Sequence, residues 1–282
     1  MRIHVMKTVA AVSLLLLWGS PASADCRNRA DFGTGSQLAV LALTTDQRLV
    51  RFRECQPDRF SPIDTVSGLS GSDTSLVGID FRVQDGRLYG VGNGGGIYVI
   101  DTDTATALLV SQLTVALSGT TFGVDFNPAA DRLRIVSDTG QNLRHNLNAG
   151  GTTIMDLALN YTPGTPATGV TAVAYTNNDL DPNTGTTLFD VDTTLNQVAI
   201  QSPPNNGSLV AVGQLTVDAD SPAGFDIFSD LRNGVAFGQR GFASLVTAGV
   251  SGFYYIDLLT GRATLVGGFD DPVIDVAVPL AQ

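Results

Sequence analysis

LVGIDFRVQDGRLYGVGNGGGIYVIDTDTATALLVSQL, residues 76–113, is followed almost at once by TFGVDFNPAADRLRIVSDTGQNLRHNLNAGGTTIMDLAL, residues 121–159. Both divide into four short apolar runs separated by Gly, Asn, Asp and Thr. The first run carries Ile79, Asp80 and Phe81 in one copy and Val124, Asp125 and Phe126 in the other. The second sets Arg87, Leu88 and Tyr89 against Arg132, Leu133 and Arg134, and the third ends at Asp101 or Asn146. The unit returns more loosely over residues 170–215 and 223–269, where Ala174 and Asp226 occupy the place of the first aspartate. Asp80 and Asp125 are 45 residues apart. A period in the forties with four short strands per unit marks propeller blades, and no amphipathic run of helical period competes with it.

The ends of the chain fit the same scheme. The unit over residues 38–69 has three strand-like runs and lacks a first one, while PVIDVAVP, residues 272–279, is a strand without a blade. Pairing the two closes a ring and removes the free sheet edges of an open array. The expected fold is therefore all-β: a single five-bladed β-propeller of four-stranded antiparallel blades, closed by the C-terminal strand pairing into the first blade. Six blades would need more residues than the chain has.

Within residues 123–146, Phe122, Val124 and Phe126 fall on one face of a strand and Leu133 and Ile135 on the next, so their side chains pack between blades. Asn127 and Pro128 start a turn, and Asp138 to Gly140 a hairpin. GVDFNPAADRLRIVS (residues 123–137) and GQNLRHN (140–146), with NNDLDPNTGTTLFDVD (177–192), QSPPNNGSLVAVGQL (201–215) and GFYYIDLLTGRATLVG (252–267), resemble an exported bacterial family catalogued as a domain of unknown function, DUF4394. The resemblance runs from about Leu38 to Pro279. It implies a propeller-like exported domain with no assigned reaction. Family members often carry a C-terminal sorting or anchoring segment, which the resemblance does not extend to Leu280, Ala281 and Gln282.

Residues 1–24 combine cationic Arg2 and Lys7, an apolar run from Val9 to Trp18 and the small-x-small pattern Ala22, Ser23, Ala24. That is the pattern of a cleavable export signal, too short for a membrane span. The expected domains are thus a signal peptide over 1–24, a lead-in over 25–37 and the propeller over 38–282, in a secreted or periplasmic protein. Cleavage after Ala24 removes Arg2 and Lys7 from the 16 basic residues and leaves 14 arginines facing 27 acids, a net charge of −13 against −11 for the full sequence. Such an acidic surface argues against nucleic acid and anionic lipid as partners. Cys26 and Cys55 remain; in an oxidising compartment one disulfide is expected, tying the lead-in to the first blade, with two free thiols as the alternative.

Four acids stand out as candidate ligands: Asp80, Asp125, Asp226 and Asp275 fall near the end of the first strand of their blades. First strands line the axis, so these carboxylates either hold a hard cation such as Ca²⁺ or accept backbone N–H bonds; the sequence favours the second role, because a side chain repeated in register serves the repeat. Asn177, Asn178, Asp179 and Asp181 crowd the corresponding point of the fourth unit and read as an Asx-rich turn. His145, the one imidazole left after cleavage, has no Gly-x-Ser-x-Gly elbow and no second His for zinc, and reads as a surface or internally bonded residue. VGNGGGIY, residues 91–98, mimics a phosphate loop but opens a strand, which makes it a hairpin. Arg132, Arg134 and Arg144 form one local basic cluster that could bind a carboxylate or pair with Asp131 and Asp138; the acid excess favours ion pairing. The absence of Trp after cleavage disfavours glycan stacking. The functional expectation is a monomeric, non-catalytic binding or scaffolding module for an unknown protein or small-molecule ligand; the alternative is a Ca²⁺-dependent hydrolase of the lactonase or esterase kind, with the metal on the axis.

Overall fold

The computed structural model describes residues 38–148 and 150–281. Five four-stranded antiparallel sheets follow one another around a ring. Blade 1 consists of β1 (Ala39–Thr44), β2 (Arg48–Arg53), β3 (Gln56–Thr65) and, from the far end of the chain, β20 (Val273–Ala277). Blade 2 holds β4 (Leu76–Arg82), β5 (Arg87–Gly92), β6 (Gly96–Ile100) and β7 (Ala107–Gln112), and blade 3 holds β8 (Phe122–Asn127), β9 (Arg132–Ser137), β10 (Asn142–His145) and β11 (Thr153–Met155). Blade 4 is β12 (Val170–Tyr175), β13 (Leu188–Asp192), β14 (Gln197–Gln201) and β15 (Leu209–Gln214); blade 5 is β16 (Ala219–Arg232), β17 (Val235–Thr247), β18 (Val250–Ile256) and β19 (Ala263–Gly268). One 3₁₀ turn, Pro204–Asn206, is the only helical element among the described residues, and no helix there is long and apolar enough to cross a membrane.

Ring closure follows the sequence expectation. β20 pairs antiparallel with β1, Ala277 opposite Leu41 and Asp275 opposite Leu43. The innermost strands β20, β4, β8, β12 and β16 each contact the next in a circle that returns to β20.

Alternation along each strand sends one set of side chains toward each neighbouring blade, so the apolar core divides into five clusters, one per junction. Phe122, Val124, Phe126, Leu133 and Ile135 of blade 3 pack on Tyr89, Val91 and Ile97 of blade 2. The seam between blades 5 and 1 is the aromatic one. Phe52 meets Phe253 edge-on at 4.9 Å and Phe269 at 5.3 Å, and Phe253 stacks on Phe242. Edge-on aromatic pairs add about 0.5–1.5 kcal/mol beyond their buried area, at the junction where the chain passes from β19 into β20 of blade 1.

Gly-x-Asp in the repeat has a steric reason. A Cβ on Gly123 would lie 2.7 Å from the Cα of Ala172 in the next inner strand, and one on Gly78 would lie 2.6 Å from Val124. The small residue lets the inner strands approach closely near the axis, and the aspartate two positions on, on the same face, reaches across the narrowed gap.

Deleting residues 272–282 strips β20 from blade 1 and exposes the edge of β1. The truncated chain is expected to elute as oligomer or aggregate in size-exclusion chromatography. A stable truncated monomer with the parent circular-dichroism spectrum would contradict closure by β20.

Candidate functional site: the axial carboxylates

Asp80, Asp125 and Asp226 come together on the axis, each offering a carboxylate oxygen within 4.8 Å of the others, and all three are buried. Each reaches into the next blade. Asp80 accepts the N–H of Phe126 at 2.7 Å, Asp125 that of Tyr175 at 3.1 Å, and Asp226 that of Val278 at 2.6 Å. The donor is always the residue one beyond the equivalent inner-strand position of the neighbouring blade. Asp80 and Asp226 also accept their own following N–H, from Phe81 and Ile227, both at 2.6 Å.

Asp275 obeys the same rule one step along the axis. Opposite Leu43 it occupies the register of Gly78, not of Asp80; the aspartate position of blade 1 is Ala277. Accordingly Asp275 accepts the N–H of Ile79, one past Gly78, at 2.8 Å, and that of Val276 at 2.9 Å.

The blade 4 to blade 5 junction, where Ala174 supplies no carboxylate, is bridged instead by the Asx-rich turn. The Asn178 N–H donates to Ser229 Oγ at 2.8 Å and its Nδ2 to the carbonyl of Ile227 at 3.0 Å. Asp179 Oδ2 accepts the N–H of Ala236 at 2.8 Å, and Asp181 accepts from Asn183 within its own loop. The Asn177 N–H donates to Gln239 Oε1, and Asn177 Oδ1 accepts from Gln239 Nε2 in return.

No basic side chain bonds to any of the four axial aspartates among the described residues. Burial therefore governs their ionisation, since a desolvated carboxylate without a cation favours its neutral form. Burial pushes Asp226 up to about 7. Burial, and then the charge of neighbouring aspartates, holds Asp80 and Asp125 well above the ordinary carboxylate range; burial does the same for Asp275. The cluster is a set of buried carboxyls that pin strand to strand.

The other sequence candidates are placed as follows. His145 is fully buried, its Nε2 2.8 Å from Ser111 Oγ on β7 and its Nδ1 3.0 Å from Thr153 Oγ1 on β11; burial lowers its pKa. It is an internally bonded histidine that staples two outer strands. The Gly-rich stretch 91–98 is the β5–β6 hairpin, and the Asp73 carboxylate accepts from Gly94 and Gly96 there. Arg132, Arg134 and Arg144 do not pair with Asp131 or Asp138, contrary to expectation. Asp131 is taken by Arg82 at 2.6 Å and Asp138 binds the Thr120 N–H, while Arg134 and Arg144 share Asp156. Asp156 and Asn205 come from loops and belong to no motif of the sequence; the signal that points to them is Arg134 itself, a charge at an inward strand position that demands buried partners. Cys55 lies in the turn between β2 and β3, and its expected partner Cys26 lies outside the described residues, as do residues 1–24.

The geometry defines a five-bladed β-propeller with buried carboxyls on its axis. Over residues 48–277 the sequence matches the family model Domain of unknown function (DUF4394), and the chain belongs to that family. No curated protein matches it. Among solved structures it is similar to a chain in a Nidogen/Laminin complex (11% identity, 87% of this chain and 86% of that one, TM-score 0.48). It is also similar to a protein of unknown function from Bacteroides thetaiotaomicron VPI-5482 (14% identity, 89% and 69%, TM-score 0.48) and to a protein from Lactobacillus plantarum (13% identity, 86% and 99%, TM-score 0.42). Identities and superpositions at this level carry no functional inference.

The axial set makes stability depend on pH. A carboxyl whose folded pKa is raised stabilises the fold below its unfolded pKa near 3.8 and loses that contribution as pH rises through the folded value, about 7 for Asp226. Each tenfold difference in proton affinity between the folded and unfolded chain is worth about 1.4 kcal/mol. Asp226→Asn, which keeps an acceptor oxygen but cannot ionise, should therefore gain stability relative to the parent as pH rises from 4 to 7. Chemical denaturation of both proteins in EDTA checks this; a constant difference across that range would contradict it.

Proposed function

We propose that this protein is a non-catalytic binding or scaffolding module: a rigid ring whose outer strands and loops present the contact surface. The observation that carries the reading is where its chemistry and its apolar surface lie. The axial carboxyls are spent on strand-to-strand bonds inside the ring, whereas the outer strands hold large apolar side chains in solvent. On β7 three consecutive residues, Leu108, Leu109 and Val110, are exposed, and the adjoining blade adds Ile154, Met155 and Leu157. The two blades meet near these residues, through reciprocal Thr114–Thr153 bonds and the Ser111–His145 bond. Grouped exposed apolar residues mark interaction surfaces, where scattered ones do not.

A second reading, a Ca²⁺-dependent lactonase or esterase, is favoured by the convergence of Asp80, Asp125 and Asp226. Against it stands the supply of oxygens. Ca²⁺ takes six to eight of them, and both oxygens of Asp80 and of Asp226 already accept backbone N–H bonds. Calorimetry in millimolar Ca²⁺ and in EDTA, with aryl-ester and lactone turnover assays alongside, separates the two. The expected result is one melting temperature in both buffers and no turnover. A chelator-sensitive melting temperature with turnover lost in Asp125→Asn would establish the metalloenzyme instead.

Export belongs to the same proposal. The pattern of residues 1–24 supports cleavage after Ala24 and residence in the periplasm or outside the cell, where Cys26 and Cys55 would join. Intact mass of the exported protein should begin at Asp25 and show no thiol labelling before reduction; two labelled cysteines in the unreduced protein would remove the disulfide from the account.

A further inference from the structure

Between blades 3 and 4, on the face where the β8–β9 turn meets the Pro204–Asn206 turn, lies a cavity of about 240 Å³ lined by Arg132, Arg134, Arg144, Asn127, Tyr175 and Asn205. Three of the chain's few basic side chains thus share one small space in an otherwise acidic protein. Their hydrogen bonds are unevenly used.

Arg134 is the fixed base of the pocket. Its side chain is only 4% exposed, and it is held from four directions: Nη1 donates to Asn142 Oδ1 at 2.6 Å and Asp156 Oδ2 at 2.8 Å, Nη2 to Asn205 Oδ1 at 2.9 Å, and Nε to the Tyr175 hydroxyl at 3.3 Å. The Tyr175 hydroxyl, an acceptor in that bond, keeps its own proton to donate. Arg144 uses Nε alone, against both oxygens of Asp156 at 3.0 Å, and its two terminal nitrogens have no partner among the described residues. Arg132 spends Nη1 on the carbonyls of Ala130 and Asp131, forms no ion pair among the described residues, and leaves Nε and Nη2 unengaged.

One carboxylate, Asp156, therefore pairs with two of the three guanidinium groups that line the cavity. The Asp131 charge next door is drawn off by Arg82 at 2.6 Å. Asp190 lies buried behind Arg134 with neither oxygen bonded, and its desolvation favours the uncharged form. A cluster of guanidinium groups lining one cavity, with N–H groups left over, is the arrangement that recognises oxyanions, because guanidinium N–H groups match their paired oxygens. The volume lies below the range of about 300–1,000 Å³ for drug-sized ligands. It suits a single anionic group and not a large molecule.

We propose that this pocket binds a small oxyanion group, a phosphate monoester or a carboxylate, with Arg132 and Arg144 as the closing donors and Arg134, Tyr175 and Asn205 as the preformed floor. The site is separate from the axis and holds whether the ring is a scaffold or a metalloenzyme. One connection exists between them: Tyr175, whose hydroxyl lines the pocket, donates its backbone N–H to Asp125.

Isothermal titration calorimetry with methyl phosphate and with malonate, at constant ionic strength set by chloride, tests the proposal. Saturable binding of at least one probe is expected, weakened about tenfold or more in Arg132→Gln and in Arg144→Gln. Arg132→Gln should keep the parent melting temperature, since that side chain is not buried and forms no ion pair among the described residues. Stronger binding of methyl phosphate would assign the site to phosphate esters, and the reverse order to carboxylates. No heat with either probe, or equal binding by Arg132→Gln, the variant that breaks no ion pair, would overturn it.

Discussion

The structure depends on a bond that crosses from one blade to the next: a carboxyl on an innermost strand accepting a backbone N–H of the neighbouring innermost strand. Sheets in a propeller have no covalent reason to stay at a fixed separation near the axis, where side chains must be small. A buried N–H left without an acceptor costs about 1–3 kcal/mol, so each of these bonds fixes both spacing and register. Asp80, Asp125, Asp226 and Asp275 supply four such pins, and the turn around Asn178 and Asp179 supplies the bridge at the fifth junction. The glycines at positions 78 and 123 are the other half of the device, since without them the strands could not come within reach.

Concentrating acids on an axis has an electrostatic consequence. With no basic partner, the carboxyls can be buried only as neutral or proton-sharing groups, or around a cation. The N–H bonds occupy oxygens that a cation would need and by themselves favour the ionised form; burial, which raises the affinity for a proton, outweighs them. The same logic, run with opposite sign, explains the basic pocket between blades 3 and 4: buried Arg134 is tolerated because Asn142, Asp156, Asn205 and Tyr175 surround it, while Arg132 and Arg144 line the cavity beside it. A protein whose net charge is strongly negative thus has acids of raised proton affinity at its centre and a cluster of arginines beside it.

Much of the fold is legible in the sequence because a repeat is self-reporting. Asp80 and Asp125 sit in nearly identical runs, so blade length, strand count and the missing first strand of blade 1 all follow, and PVIDVAVP is the strand left to fill it. That these aspartates accept backbone N–H bonds is legible too, since a side chain repeated in register serves the repeat. The register of Asp275 is not: VIDV looks like GFDI, but pairing with β1 places Ala277 at the aspartate level and Asp275 two residues away along the strand. Strand register is set by the partner strand, and β1 lies more than two hundred residues distant in the chain. Partners of the arginines are hidden for a related reason. Asp131 and Asp138 are close to Arg132 and Arg134 in sequence, yet Asp131 turns to Arg82 of blade 2, and Asp156 arrives from the far side of blade 3. The fully buried His145, by contrast, needs only the observation that no catalytic partner motif accompanies it.

The central claim is that the axial carboxyls are neutral pins. Site-resolved ¹³C carboxyl shifts of Asp80, Asp125 and Asp226, followed against pH in EDTA, measure it most directly. The account predicts that all three titrate above the ordinary aspartate range, with Asp226 near 7. Full ionisation of all three below pH 4 in the folded, cation-free protein would contradict it.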